Sequence, residues 1–426
     1  MVLGLSACDR QPAESTAKVH IRKSGAQYTL YRNGKPYIIK GASGYTHLDI
    51  LKQKGGNTIR TWDTTGLASV LESANANGMT VIVGLPIPES RHMSFYNDSS
   101  KTNTQYKAIK RLVDKYKSNP AILMWCVGNE LSFPYKISYN TFYTAFNDIV
   151  SLIHQSDPDH PVTTTIVNFQ RKDIFNIKMR TEIDLISFNI FGRLRQMQSD
   201  LKSFAWFYDD PYLITEWAID GPWEGTPFNA WDAYLEFNST QKAYYYAERY
   251  DQDMPVKDPR FLGSFLFYWG QKQEVTSTWF SLFDQDGHQT EAIATAEKIW
   301  KGKKSAEVYP QIKNLLLDQR KGGDNIIFEA HDTADAELIM EPGTAAPIKL
   351  KWEIYQEDWY KKDNVNNSKG LAPVTTDFKS TNPLKVSFSV PLKEGPYRLF
   401  VTAYNADGNV ANANIPFYIS GVNEKK

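Results

Sequence analysis

Two rhythms of apolar and polar positions divide this chain. From about Tyr28 to about Lys304, short apolar runs alternate with longer amphipathic ones. Tyr37 to Ala42 reads as a strand after the hairpin signal Asn33-Gly34. Leu48 to Lys54 reads as a short helix stopped by Gly55-Gly56, and Asn57 to Trp62 as a second strand. A helix at Leu67 to Asn77, a strand at Met79 to Gly84 and a helix at Tyr106 to Lys117 follow. The unbroken apolar run Ala121 to Val127 marks a strand buried on both faces. Beyond it the pattern predicts a helix over Tyr139 to His154 and strands at Val162 to Val167, Ile183 to Phe191 and Tyr212 to Trp217. A helix over Ala230 to Tyr250 and a strand at Phe261 to Trp269 complete this part.

Eight strands in order, each followed by helix or long loop, argue for a parallel sheet, and eight units in about 275 residues suit a closed (β/α)8 barrel. The competing fold is an open doubly wound sheet, which would carry a Gly-rich phosphate turn after its first strand. Gly41-Ala-Ser-Gly44 matches that turn poorly. After Lys304 the period falls to two, with turn signals at Gly322-Gly323, Pro342-Gly343, Gly395-Pro396 and Asp407-Gly408. Strands are expected at Leu350 to Tyr355, Lys385 to Val390, Tyr397 to Tyr404 and Ala411 to Tyr418. Residues 305–426 therefore read as a small all-β domain, most simply an immunoglobulin-like sandwich. Residues 28–304 are the barrel.

Charge narrows the ligand. The 48 Lys+Arg and 48 Asp+Glu cancel, so no electrostatic footprint for nucleic acid or an anionic membrane exists, and a neutral ligand fits better. Aromatics make up 13% of the chain, enough to supply flat platforms for sugar faces as well as core. Of the two cysteines, Cys126 lies in an apolar run and reads as core. Cys8 ends Leu5-Ser-Ala-Cys8, which matches a bacterial lipobox, although Met1 to Ala7 is too short for a complete signal peptide. Residues 1–27 are thus expected to be a lipoprotein signal remnant and tether. That places the protein in the bacterial cell envelope, facing the periplasm or the exterior, with a lipid at Cys8 as its only membrane contact. No run of 18 apolar residues suggests a transmembrane helix. A monomer is expected.

In a barrel, chemistry gathers at the C-terminal ends of the strands. The fourth strand ends Trp125-Cys-Val-Gly-Asn129-Glu130 and the seventh ends Leu213-Ile-Thr-Glu216-Trp217. Two carboxyls flanking a scissile bond are what glycoside hydrolysis requires, one protonated and one ionised. Arg60, ending the second strand, is placed to keep a partner glutamate ionised, and Asn129 to bind a sugar hydroxyl.

These features resemble the retaining β-glycosidases whose catalytic glutamates lie on strands four and seven, closest in layout to the barrel of glycoside hydrolase family 2. Asn33-Gly-Lys-Pro-Tyr37, Asn57-Thr-Ile-Arg60, Asn119-Pro-Ala-Ile122, Gly128-Asn-Glu130, Asp184-Leu-Ile-Ser-Phe-Asn189 and Ile214-Thr-Glu-Trp217 fall in that family's order. The Asn57-Thr-Ile-Arg60 unit also resembles fungal β-1,3-glucanosyltransferases and bacterial endo-β-1,3-glucanases. The resemblance implies Glu130 as acid/base and Glu216 as nucleophile. It further implies that Asn129 binds the 2-hydroxyl, Arg60 supports Glu216 and Trp269 floors the reacting subsite. Trp217, Tyr45 and Asn189 join Arg60, Asn129 and Trp269 as substrate-binding candidates. One departure stands out: family members tend to carry Tyr two places after the strand-six Asn, where this chain has Phe191. Tyr45, Tyr208 and Tyr268 are the candidates to replace its hydroxyl.

Trp62, Trp206, Trp217, Trp223 and Trp279 are further platform candidates, each balanced against a core role. His47, His92, Asp63 and Glu89 are possible cleft residues. The seven His show no metal-binding spacing, so neither a metal nor a cofactor is expected. The expected function is retaining hydrolysis of a neutral β-glucan, with β-1,3-glucan among the candidates. The rivals are a transglycosylase using the same glutamates and a catalytically inactive carbohydrate-binding barrel.

Overall fold

The computed structural model describes residues 17–344, 347–358 and 371–421. Cys8 and residues 9–16 of the expected tether lie outside the described residues. Three short strands come first: β1 (Val19–Ser24), β2 (Gln27–Arg32) and β3 (Lys35–Pro36) form an antiparallel sheet. Residues 19–27 are therefore not tether. Only Val19 and Ile21 are apolar in β1, too few to signal a strand in the sequence. Their role is to close the barrel floor. The Val19 N–H donates to the Asp159 carbonyl at 2.9 Å and the Tyr28 N–H to that of Pro259 at 2.7 Å. Val19 and Leu30 pack with Ile39, Leu123, Leu213 and Phe265 in a core at the starts of the barrel strands.

The barrel strands are β4 (Ile39–Ser43), β5 (Thr58–Arg60), β6 (Thr80–Leu85), β7 (Ile122–Val127), β8 (Val162–Val167), β9 (Leu185–Asn189), β10 (Tyr212–Trp217) and β11 (Phe261–Phe267). They pair in that order, all parallel, and β11 closes on β4 with Phe265 opposite Gly41. β7 is buried along its whole length, as its unbroken apolar run requires. One predicted helix begins late. Residues 230–238 form a loop, and the helix Ser239–Gln252 starts at a capping box: Asn238 Oδ1 accepts the Gln241 N–H at 2.9 Å, and Gln241 Oε1 accepts the Asn238 N–H at 3.0 Å.

Two four-stranded sheets follow. β12 (Ile312–Leu317), β14 (Thr333–Met340), β17 (Lys385–Ser389) and β16 (Phe378–Asn382) form one, in that order. β13 (Ile327–Glu329), β19 (Val410–Ser420), β18 (Gly395–Tyr404) and β15 (Lys349–Gln356) form the other. Residues of both sheets, among them Leu338, Phe388, Val401 and Phe417, share one core, which makes the unit a sandwich. It is fastened to the barrel by polar contacts. Asn238 Nδ2 donates to the Ile312 carbonyl at 3.1 Å, Arg398 Nη2 to that of Tyr234 at 2.8 Å, and Asn414 Nδ2 to Glu236 Oε2 at 2.7 Å. Among the described residues, no helix is long and apolar enough to cross a membrane.

Candidate active site

A cavity of about 530 Å³ opens at the C-terminal ends of the strands, opposite the plugged floor. Tyr45, Trp62, Asn129, Glu130, Phe191 and Glu216 line it, together with Trp223, Phe267, Tyr268, Lys272 and Glu274. β7 and β10 thus bring their terminal glutamates to one space. Behind β7 the backbone turns sharply: Gly128 has φ 77° and Glu130 φ 56°. A Cβ at Gly128 would run into the Leu131 side chain as well as strain the backbone. This double turn swings Glu130 out of line with β7 and leaves it exposed at the cavity rim.

Glu216 is held differently. It is 5% exposed, and its Oε1 accepts hydrogen bonds from Arg60 Nη1 at 3.1 Å and from Trp62 Nε1 at 2.7 Å. Oε2 is the oxygen left for chemistry. Arg60 is itself buried and reaches further: Nη1 donates to Asn189 Oδ1 at 3.0 Å and Nη2 to Asn129 Oδ1 at 2.8 Å. Asn189 Nδ2 in turn donates to Glu130 Oε1 at 2.8 Å. One chain of hydrogen bonds therefore joins the two carboxyls through Asn189 and Arg60. Asn129, its oxygen occupied, keeps its amide nitrogen for a ligand in the cavity.

Burial pushes the Glu216 carboxyl up to about 7, against the pull of the Arg60 charge; the Glu130 charge adds to the rise and the Trp62 bond opposes it. Glu274 is also raised, first by burial and further by Glu130, with Lys272 opposing. Lys272 Nζ lies 2.6 Å from Glu274 Oε2, so the cavity contains a second, self-neutralised pair.

Several expectations change here. Trp217 is 2% exposed and packs its ring on Tyr246 and Tyr250, outside the barrel. Side chains alternate along a strand, so an inward Glu216 turns Trp217 outward. Trp269 is fully buried against Phe283 and Trp300, and Tyr268 lines the cavity in its place. Arg60 and Asn189 sit behind the lining and act by positioning Glu216, Asn129 and Glu130. Asn129 and Tyr45 do line the cavity. Tyr208 is excluded as the missing hydroxyl, being buried with its Oη donating to the Pro211 carbonyl.

Neither Tyr45 nor Tyr268 bonds Glu216; its second donor is the indole N–H of Trp62, a residue expected only as a platform. Trp223 lines the cavity, Trp206 is exposed and does not line it, and Trp279 is buried. His47 stacks on Phe283, and Asp63 Oδ1 accepts the Thr65 N–H in its own turn. Glu89 accepts the Ser132 N–H at 2.9 Å and so braces the loop after Glu130. His92 precedes the short helix Met93–Tyr96 and does not line the cavity. Among the described residues, Asp284, Asp286 and His288 alone group as cation ligands, outside the cavity. Asp284 there already accepts the Asp286 and His288 N–H groups and meets the His288 ring at 2.8 Å.

With this geometry in view, the chain belongs to the family described as "Glycosyl hydrolases family 2, TIM barrel domain", which matches residues 48–287. It is similar to the β-glucuronidase of Chlorocebus aethiops, 24% identical over 220 residues that make up 44% of this chain and 32% of that protein. A second relative, the β-glucuronidase of Mus musculus, is 28% identical over 31% of this chain and 22% of its own. The chain thus spans a third or less of the length of these curated relatives. Among solved structures, the β-glucuronidase of Bifidobacterium dentium superposes with a TM-score of 0.53 at 19% identity, over 67% of this chain and 49% of that one. β-Glucuronidase 2 of Bacteroides uniformis superposes with a TM-score of 0.51 at 13% identity, over 95% and 48%. Both confirm the barrel fold.

Proposed function

We propose that the cavity cleaves a neutral β-linked glycoside by double displacement, with Glu216 as nucleophile and Glu130 as acid/base. The observation that carries this reading is the pair of bonds from Arg60 and Trp62 to one oxygen of Glu216. A guanidinium and an indole N–H both favour the ionised carboxyl and, by holding Oε1, orient Oε2 for attack. Glu130 receives only an amide N–H and stands open to solvent, where it can exchange the proton it must give and recover in each cycle. The lining supports an uncharged sugar. It holds three carboxyls against one ammonium, with Arg60 behind, and offers Trp62, Trp223 and Tyr268 as apolar faces. Within this class a β-glucan, including the β-1,3-linked form, is the substrate we favour. A transglycosylase built on the same residues differs only in the acceptor.

The experiment is a panel of 4-nitrophenyl β-glycosides, with NMR of the first anomer released. Retention is the expected result; release of the α anomer defeats the mechanism. Turnover of the preferred neutral substrate is expected to change by less than about twofold between low and physiological salt, because screening weakens only charge-steered encounter. A steep fall would favour a second reading, a uronide substrate, which the Lys272 ammonium and the β-glucuronidase relatives support.

We also propose that the precursor is lipidated at Cys8. Expressed behind a bacterial lipoprotein signal peptide, the wild type should take up a fatty-acid analogue and Cys8→Ser should not. Equal labelling of both would defeat this.

A further inference from the structure

We propose that Lys272 and Glu274 are the specificity-determining pair of this cavity: a neutralised ion pair that exchanges hydrogen bonds with the hydroxyls of an uncharged sugar and withholds Lys272 from a ring carboxylate. The inference rests on the reading of the cavity as a glycosidase site and names what that site selects. Both residues lie in the loop after β11 and line the cavity beside the two catalytic carboxyls. The ammonium is pinned on both sides. Lys272 Nζ meets Glu274 Oε2 at 2.6 Å and stands 5.0 Å from the centre of the Phe267 ring.

The loop is built to hold Glu274 there. Glu274 and Thr276 exchange backbone hydrogen bonds, N–H to carbonyl at 2.9 and 2.8 Å, across Val275 at φ 63°. A β-branched residue is disfavoured at positive φ, so this tight turn persists only because its surroundings hold it. Those surroundings are visible. Thr276 Oγ1 donates to Glu236 Oε2 at 2.6 Å and Thr278 Oγ1 to Glu236 Oε1 at 2.7 Å. Glu236 is buried in an ion pair with Lys242 and also accepts Asn414 Nδ2 from the sandwich. The sandwich thereby braces the cavity wall from behind, and the strained turn delivers a carboxylate to an already acidic cavity. A purely structural ion pair needs no such placement.

A uronate entering this site must take Lys272 from Glu274 and leave a buried carboxylate without its cation. A neutral sugar leaves the pair intact and uses its free lone pairs and protons. The two members therefore have opposite effects when removed. Aryl β-glucoside, β-galactoside, β-mannoside and β-glucuronide sharing one leaving group are the probes, read as kcat/KM, with thermal melts to verify folding. Wild type should prefer the best neutral substrate over the glucuronide by about tenfold or more, the scale of one charged hydrogen bond. Glu274→Gln frees the ammonium and should move that ratio toward the glucuronide by about tenfold. Lys272→Gln should move it the other way, and serves alone if the first variant does not fold. Shifts in the same direction, ratios unchanged within about twofold, or a wild type that prefers the glucuronide overturn the proposal while leaving the glycosidase reading intact. A wild type that turns over none of the probes defeats that reading, and the proposal falls with it.

Discussion

Glu216→Ala and Glu130→Ala should both sharply reduce cleavage of natural glycans but fail in different ways. Without Glu216 no glycosyl-enzyme forms on any substrate, and activity falls to background. Without Glu130 only proton transfer is lost, typically about 10²–10⁴-fold. That deficit should be largest for natural glycans and smallest for aryl glycosides whose leaving group needs no proton. Azide separates the two further. In Glu130→Ala it should enter after the glycosyl-enzyme has formed and yield the β-glycosyl azide. In Glu216→Ala it should take the place of the missing carboxylate and yield the α anomer. The same anomer from both variants would show that the roles are wrongly assigned. Such assignments presuppose carboxyls about 5–5.5 Å apart, the spacing that leaves no room for an inverting enzyme's water.

The second large effect concerns pH. As the proposed nucleophile, Glu216 must be ionised to attack, and its carboxyl is pushed up to about 7. The acid limb of kcat/KM should therefore bend near pH 7 and fall about tenfold per unit below it. Glu130→Gln removes one upward push and should move that limb to lower pH.

Stability should run in the opposite sense to activity. An unfolded Glu titrates near 4.3, so between about pH 4.3 and 7 the folded chain holds the proton at Glu216 more tightly than the unfolded one. This site's contribution to stability is accordingly greatest below pH 4.3, declines as pH rises through that window and is lost above 7. Glu216→Gln, which mimics the protonated form, should then be more stable than wild type at pH 8, by up to about 3 kcal/mol, and no more stable at pH 4. Arg60 keeps its bonds to Asn189 and Asn129 in that variant. Urea melts at the two pH values decide it, and a variant less stable at pH 8 would refute the linkage.

The parts of the fold legible in the sequence were those whose side chains share one environment. β7 is placed to within a residue because its continuous apolar run has sharp ends, and β8 because its run of β-branched residues, Val-Thr-Thr-Thr-Ile-Val, does. The β1–β3 sheet escapes the sequence reading, since short strands carrying few apolar residues give no rhythm; β12 and β14 escape it as individual strands although they carry apolar residues enough. In the site, Glu130 and Glu216 were legible as ionisable groups closing apolar runs. Strand position failed for the aromatics. Trp217 points outward because Glu216 points inward, and Trp269 turns away into the core while Tyr268 faces the cavity. Trp62 was seen as a flat surface and not as an N–H donor, because its donor role exists only once β5 and β10 stand across the barrel from each other. Lys272 and Glu274 lie in a loop with no periodicity, where nothing but the fold itself could bring them to the cavity.

The β1–β3 sheet packed on the barrel floor has a consequence for what becomes of the proposed glycosyl-enzyme. With Val19, Leu30, Ile39 and Phe265 packed together at the bottom and the cavity lined at the strand ends, water for a bond on Glu216 is expected to enter from the cavity side. It should then arrive through the same mouth as a sugar acceptor and compete with it for the place beside Glu130. Hydrolysis and transfer are then two visitors at a single door, and the balance between them is set by residence there. An acceptor that lingers on Trp223 or Tyr45 excludes water for as long as it stays. Product partition in this protein should thus follow acceptor concentration smoothly, and hydrolysis that persists at saturating acceptor would point to a second route for water.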